Sequence, residues 1–356
     1  AGLLNVIALD NDVVFSSRKG YQDFRRRLSP IVEKVQSEDD GFYRMEKTVH
    51  RKTNDPYLLN MNGLSGSTST LNEETILLLN EMGLCAKSHW TKYLGGTPVF
   101  DSLFGVKYLI TENYESAPLY EELYTYNDDL TAYRNNYALP IAYAVDKSVM
   151  KLDITGETGE MYSPFERMNA MVSAMLGEED VEIFKEEYDY TEALLNLKKS
   201  SIASHSKFAP MVEGSVARVT YTINISDSDT LYCYFPSDYI RECQFYVNDE
   251  HKGTYYGNET YRIVEVGNFQ VGDVVTVTLQ LADDVLYIRE DMPYFCYCDS
   301  EAFKEYMPQL AENGYNITKH TDTSFEGTIS VTEERDLIFT TIAYDEGWNI
   351  YLDGKK

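Results

Sequence analysis

The sequence contains no run approaching the roughly 18 to 20 uncharged apolar residues that a membrane-crossing helix needs. Its densest apolar stretches are residues 76–79 and the interrupted stretch 168–176. Basic residues are scarce, 31 Lys and Arg against 58 Asp and Glu, and the resulting net charge of -27 repels nucleic-acid phosphates and anionic lipid headgroups alike. No nucleic-acid partner is therefore expected. There is no signal-peptide pattern, and the chain begins at Ala1 without a methionine, so its first residue is expected to mark a processing site or an imposed boundary.

Cysteine and histidine are also few. Cys85, Cys233, Cys243, Cys296 and Cys298 are odd in number and lack zinc-site spacing, so burial as small hydrophobes is expected, with a Cys233–Cys243 disulfide as the alternative. Cys296 and Cys298 share a face if their stretch is a strand. His50, His89, His205, His251 and His320 form no His-Glu-x-x-His pattern, which removes support for a metallohydrolase. Gly63-Leu-Ser65-Gly-Ser breaks the nucleophile elbow of serine hydrolases at its last position. Neither a metal nor a cofactor is expected. The acidic pairs Asp10-x-Asp12 and Asp227-x-Asp229 have the spacing to converge on a hard cation, against the commoner reading as solvated turns.

What the chain does contain is material for two folded units. Its 356 residues exceed one ordinary core, and 43% apolar content suffices to fill two. The pattern predicts an α+β protein. Residues 1–205 read as a mixed α/β domain, and 206–356 as an antiparallel β-sandwich, jelly-roll-like, with a helix near 300–313 that Pro308 should bend or shorten. In the first domain, helical spacing covers 16–36, broken or bent near Pro30, then 70–82 and 164–176. The second of these carries a Thr70/Glu73 capping box and the third a Ser163/Glu166 one. Residues 101–111 read as a buried strand central to the sheet, residues 41–49 as another strand, and 123–133 as a hairpin. In the second domain, residues 217–225 and 275–281 alternate strictly.

One loop has chemical potential. Residues 60–70, Asn-Met-Asn-Gly-Leu-Ser-Gly-Ser-Thr-Ser-Thr, deliver backbone amides and hydroxyls to a helix start, the setting in which anions bind. Candidate ligand residues are Asn60, Asn62, Ser65, Ser67 and Ser69, with Arg44 the nearest plausible cation for a phosphate. The competing reading is an ordinary capped loop, since Glu73 and Glu74 already complement that terminus and no P-loop lysine is present. Trp90 and Trp348 are candidates for stacking on sugar rings, against the commoner role of core aromatics.

The ordered set Phe42-Tyr-Arg-Met-Glu, Asn62-Gly-Leu-Ser-Gly-Ser-Thr-Ser, Leu103-Phe-Gly-Val-Lys-Tyr-Leu-Ile, Leu139-Pro-Ile-Ala-Tyr, Pro164-Phe-Glu-Arg-Met-Asn and Tyr344-Asp-Glu-Gly-Trp-Asn-Ile-Tyr-Leu-Asp-Gly-Lys resembles the extracellular region of the YfhO family of bacterial multi-spanning membrane proteins. The resemblance implies an ectodomain on the outer face of the membrane, part of a GT-C-like glycosyltransferase that uses polyprenyl-phosphate sugars to decorate envelope polymers such as teichoic acids. It further implies that the catalytic carboxylate lies in the membrane part, so no catalytic residue is carried over to this chain. The implied partners are the protein's own transmembrane region and a polyprenyl-phosphate sugar or envelope glycan. A carbohydrate-binding module and a structural or partner-docking domain remain the other readings. Thirty tyrosines, with abundant Asn, Thr and acid, suit an extracellular setting.

At the end of the chain, Trp348, Ile350 and Leu352 alternate with Asn349, Tyr351 and Asp353, and Asp353-Gly354 is a two-residue hairpin signal. The expectation is a terminal strand, at a sheet edge or paired with residues 336–343, that packs Trp348 inward and lacks its following partner.

Overall fold

A computed structural model describes residues 17–112, 119–127, 129–153, 162–257, 260–282 and 284–355. It is an α+β protein, as the patterning implies. Ser17 caps a single helix, Arg18–Glu38, that runs through Pro30 rather than breaking there. Its stripe of Leu28, Ile31, Val32 and Val35 is buried in a small core with Met45, Tyr108, Ile110 and Leu130. That core lies on a four-stranded sheet whose order is Arg44–Lys47, Val106–Glu112, Leu130–Arg134, Glu121–Tyr126. The strand foreseen in residues 101–111 is thus internal, parallel to Arg44–Lys47 on one side and antiparallel to Leu130–Arg134 on the other. Its first five residues are not extended: Thr97 caps and Pro98 starts the short helix Pro98–Leu103, and Phe104 and Gly105 form the turn that leads into the strand.

Two further helices match their signals in different degrees. The helix Pro164–Leu176 has the full capping box between Ser163 and Glu166 and ends on Gly177 in the left-handed region. The helix Glu73–Glu81 is capped by Asn72, not by Thr70, so the capping box read from Thr70 and Glu73 is corrected; Asn72 accepts the Thr75 amide directly.

The second half is built from antiparallel sheets. A five-stranded one runs Tyr190–Leu195, Ala217–Asn224, Val274–Leu281, Cys243–Val247, Glu250–Tyr255. A four-stranded one runs Val264–Gly267, Thr230–Cys233, Phe295–Cys298, Phe184–Glu186. The latter is buried on both faces: Leu231, Cys233, Phe295 and Tyr297 join the core lined by the five-stranded sheet, while Tyr232, Cys296, Cys298 and Phe184 join the core around the Pro164–Leu176 helix. Cys296 and Cys298 do share a face, and all five cysteines are buried and free, so the alternative of a Cys233–Cys243 disulfide is not realised. The helix Ser300–Ala311 keeps Pro308 within it and places Phe303, Met307 and Leu310 in that same core.

The C-terminal strand is a correction. Residues 346–351 are not extended in any sheet, and Trp348 is 41% exposed rather than packed inward. The turn itself forms: Asp353 and Gly354 have φ of 48° and 75°, and Leu352 and Lys355 exchange backbone hydrogen bonds of 2.8 and 2.9 Å. The upstream strand, Leu337–Thr340, is taken by Ala142–Val145 instead. Among the described residues, no helix is long and apolar enough to cross a membrane.

Candidate anion-binding site

The amide-rich loop holds an anion, and that anion is internal. Glu46, fully buried on the Arg44–Lys47 strand, accepts the Leu64 and Ser65 amides on Oε1 at 2.5 and 2.7 Å and the Ser65 hydroxyl on Oε2 at 3.2 Å. Burial pushes this carboxyl up, opposed by Lys47 and the backbone amides that bond to it. The approach is close enough to need glycine: a Cβ on Gly63 would lie 2.8 Å from Glu46 Oε1 and 2.8 Å from Pro56 Cγ.

Beside this loop opens a cleft of about 720 Å³. One wall is the turn after the Arg44–Lys47 strand, the other a small sheet ordered Gly66–Ser67, Trp90–Lys92, Cys85–Lys87. Asn54 clips the walls together, since its Oδ1 accepts the Ser67 amide at 2.6 Å and its Nδ2 donates to the Ser67 carbonyl at 3.1 Å. All six ionisable side chains that line the cleft are basic or imidazole: Arg51, Lys52, Lys87, Lys92, His50 and His89. Ser67, Thr53 and Ser88 add hydroxyls, and half-buried Trp90 adds an aromatic surface. In a chain of net charge -27, this is a local reversal of sign, and a concave cationic surface raises the local concentration of anions.

The cations are held in place from behind. Asp55 Oδ2 accepts the amides of Arg51 and Lys52 at 2.7 and 2.9 Å, fixing the turn that presents both side chains. Lys47 Nζ, fully buried, lies 3.5 Å from the same oxygen and 3.1 Å from His50 Nδ1. His50 Nε2 lies 2.9 Å from the Tyr93 carbonyl oxygen, which only accepts, so Nε2 carries the proton and Nδ1 offers its lone pair to Lys47. Burial, reinforced by the Lys47 charge, pushes His50 down to about 3, so it is a neutral hinge between the walls. Burial lowers the Lys92 pKa as well, with Arg262 adding to the effect; an anion in the cleft would act in the opposite direction. Deeper still, Tyr93 and Tyr120 donate to Asp101 at 2.7 and 2.6 Å, and burial raises this carboxyl to about 7.

Of the residues read from the sequence, Ser67 lines the cleft and Ser65 sits directly behind it, its hydroxyl accepting the Tyr93 amide at 2.8 Å. Asn62 is exposed, pairs its carbonyl with the Met45 amide at 3.0 Å and donates from its side chain to the Tyr43 carbonyl at 3.3 Å. Asn60 ends the Asp55–Leu59 helix at φ 55°, and its carbonyl receives Gln36. Ser69 is exposed. Arg44 points its guanidinium at the Phe104 carbonyl and at the Thr341 hydroxyl and carbonyl, 2.7, 2.7 and 3.0 Å away, and so ties three segments together. The cleft's cations are residues the sequence reading did not single out. The available signal was density: Arg51, Lys52, Lys87 and Lys92 make two short basic pairs on either side of the loop.

The fold and the cleft define a class first: an α+β domain with a cationic, aromatic-flanked recess suited to a phosphate or other anionic group. The chain belongs to the YfhO family, described as bacterial membrane protein YfhO, whose family model matches residues 2–356. No curated protein and no solved structure matches it.

Proposed function

We propose that this chain is the extracellular domain of a YfhO-family membrane protein and that its cationic cleft positions a phosphate-bearing glycan substrate for the membrane-embedded part. That substrate is a polyprenyl-phosphate sugar donor or a phosphodiester-containing envelope polymer such as teichoic acid, and the reaction is glycosyl transfer. The observation that carries this reading is the cleft's lining, where four lysine and arginine side chains gather without one carboxylate in a strongly acidic chain. Trp90 beside those cations supplies the apolar face that a sugar ring or a prenyl segment would cover. Membership of a bacterial membrane-protein family supports the setting.

The test is an array of envelope glycans and phosphodiester polymers probed with the whole chain. Binding to phosphate-bearing polymers that weakens steeply with salt supports the reading. Binding only to neutral glycans would instead favour a carbohydrate-binding module built on Trp90, and no binding at all would favour a structural domain.

A further inference from the structure

We propose that the protein has a second binding site, for a ligand bearing an organic ammonium group, in the acidic and tyrosine-lined cleft between the Tyr190–Leu195 strand and the loop of residues 290–294. This cleft has a volume of about 570 Å³ and is distinct in residues and in sign from the cationic one. Glu166, Glu186, Glu192, Glu290 and Asp291 line it against a single lysine, Lys199. Three tyrosine rings, Tyr190, Tyr221 and Tyr294, form a mutually packed wall, with centroids 5.7 to 6.4 Å apart.

The observation that points to a ligand is the Tyr221 hydroxyl. Tyr221 is 1% exposed, and its hydroxyl is buried without a hydrogen-bond partner among the described residues. Buried polar groups are almost always paired, because desolvation without a partner costs free energy. Tyr221 is itself one of the side chains that line the cleft, beside Glu192 and Glu290 and with its ring packed on those of Tyr190 and Tyr294. A ligand reaching it would complete its bonding.

The charge decides the class of ligand. Lys199 Nζ, 3.0 Å from Glu192 and 3.7 Å from Glu290, already places one ammonium at the edge of the cleft, and Arg289 pairs with Asp291 at 2.5 Å, which leaves Glu166 and Glu186 without a basic partner among the described residues. An ammonium donates three hydrogens to oxygen acceptors and is attracted to tyrosine faces, which this wall supplies. A neutral sugar would satisfy Tyr221 and leave the carboxylate field uncompensated. A metal ion is not favoured, because among the described residues no three carboxylate, His or Cys side chains converge as ligands.

The probe is glucosamine, titrated into the whole chain by calorimetry under conditions where its amine is charged, with N-acetylglucosamine as the uncharged counterpart. Glucosamine should bind on the order of tenfold tighter or more, and Tyr221→Phe and Glu290→Gln should each weaken it by roughly tenfold. Equal binding of the two sugars, no binding of glucosamine at millimolar concentration, or full retention in both variants would overturn the proposal. Loss of phosphate binding at the cationic cleft would leave it untouched, because no lining residue is common to the two sites.

Discussion

The Glu46 carboxylate accepts the Ser65 amide at 2.7 Å and the Ser65 hydroxyl at 3.2 Å, so the loop that resembles an anion cradle is filled by the protein's own side chain. Replacing that carboxylate leaves the Leu64 and Ser65 amides buried without their acceptor. Glu46→Ala should cost about 3 kcal/mol or more in urea unfolding, and Glu46→Gln, which keeps one acceptor oxygen, distinctly less. Equal stability of Glu46→Ala and the parent would show that the cradle is not structural.

The Lys47–Asp55 pair is buried on both sides, with 0% and 2% of the side chains exposed. Asp55→Ala strands the Lys47 ammonium in the interior and releases the turn that presents Arg51 and Lys52. A loss of about 3–5 kcal/mol is expected. The turn should also become more open to amide hydrogen exchange at Arg51 and Lys52, whose amides lose their acceptor.

Asp101 gives a pH signature. Its carboxyl is raised by burial to about 7 in the folded chain and titrates near its ordinary value once unfolded. Between those values the folded chain binds a proton that the unfolded chain has released, so this contribution to stability is present at low pH and is lost as pH rises toward about 7. Its size is up to roughly 4 kcal/mol. Asp101→Asn should flatten that slope in thermal unfolding measured from pH about 4 to about 7. An unchanged slope would mean that Asp101 titrates normally.

His50 acts in the opposite sense over much of the same range. Its folded value near 3 lies below the unfolded one, so the unfolded chain binds the extra proton and stability falls as pH drops below about 6.5. His50→Gln should remove this acid-side loss, and should leave it intact only if His50 is already protonated in the folded chain. The two groups are separable because each variant removes one slope and keeps the other.

How much of this was legible in the sequence differs by feature. Ser163-Pro164-Phe165-Glu166 specified its helix start completely, because every contact that makes it is local. The strand at residues 106–112 was legible from its alternation, although Thr97-Pro98 converted the start of the stretch to helix. Thr70 failed as a cap because the helix begins at Glu73, where Asn72 is the residue placed to accept the Thr75 amide. At the C-terminus, alternation alone did not make a strand, since Leu337–Thr340 finds its partner 192 residues or more upstream in Ala142–Val145. The anion site was half legible. A hydroxyl-rich loop can be seen in the sequence, but Arg44 and Arg51 look alike there, and only the fold commits Arg44 to Phe104 and Thr341 and sets Arg51 in the lining of the cleft with its guanidinium over the Tyr21 ring.

The cleft's chemistry predicts which substitutions matter. Lys52→Glu and Lys92→Glu together should lower affinity for a phosphate-bearing ligand by more than about tenfold, with a small change in melting temperature, because neither side chain is in the buried core. Trp90→Ala should weaken ligands that carry a sugar or prenyl group and leave inorganic phosphate unaffected.

The most direct measurement compares farnesyl phosphate with farnesol, titrated into the whole chain and followed by calorimetry. The prenyl segment is the same in both, so only the phosphate distinguishes them. The cationic cleft predicts that the phosphate binds, that farnesol does not, and that the Lys52→Glu, Lys92→Glu variant loses the difference. Equal binding of the two, or farnesyl phosphate binding that survives the charge reversal, would contradict it.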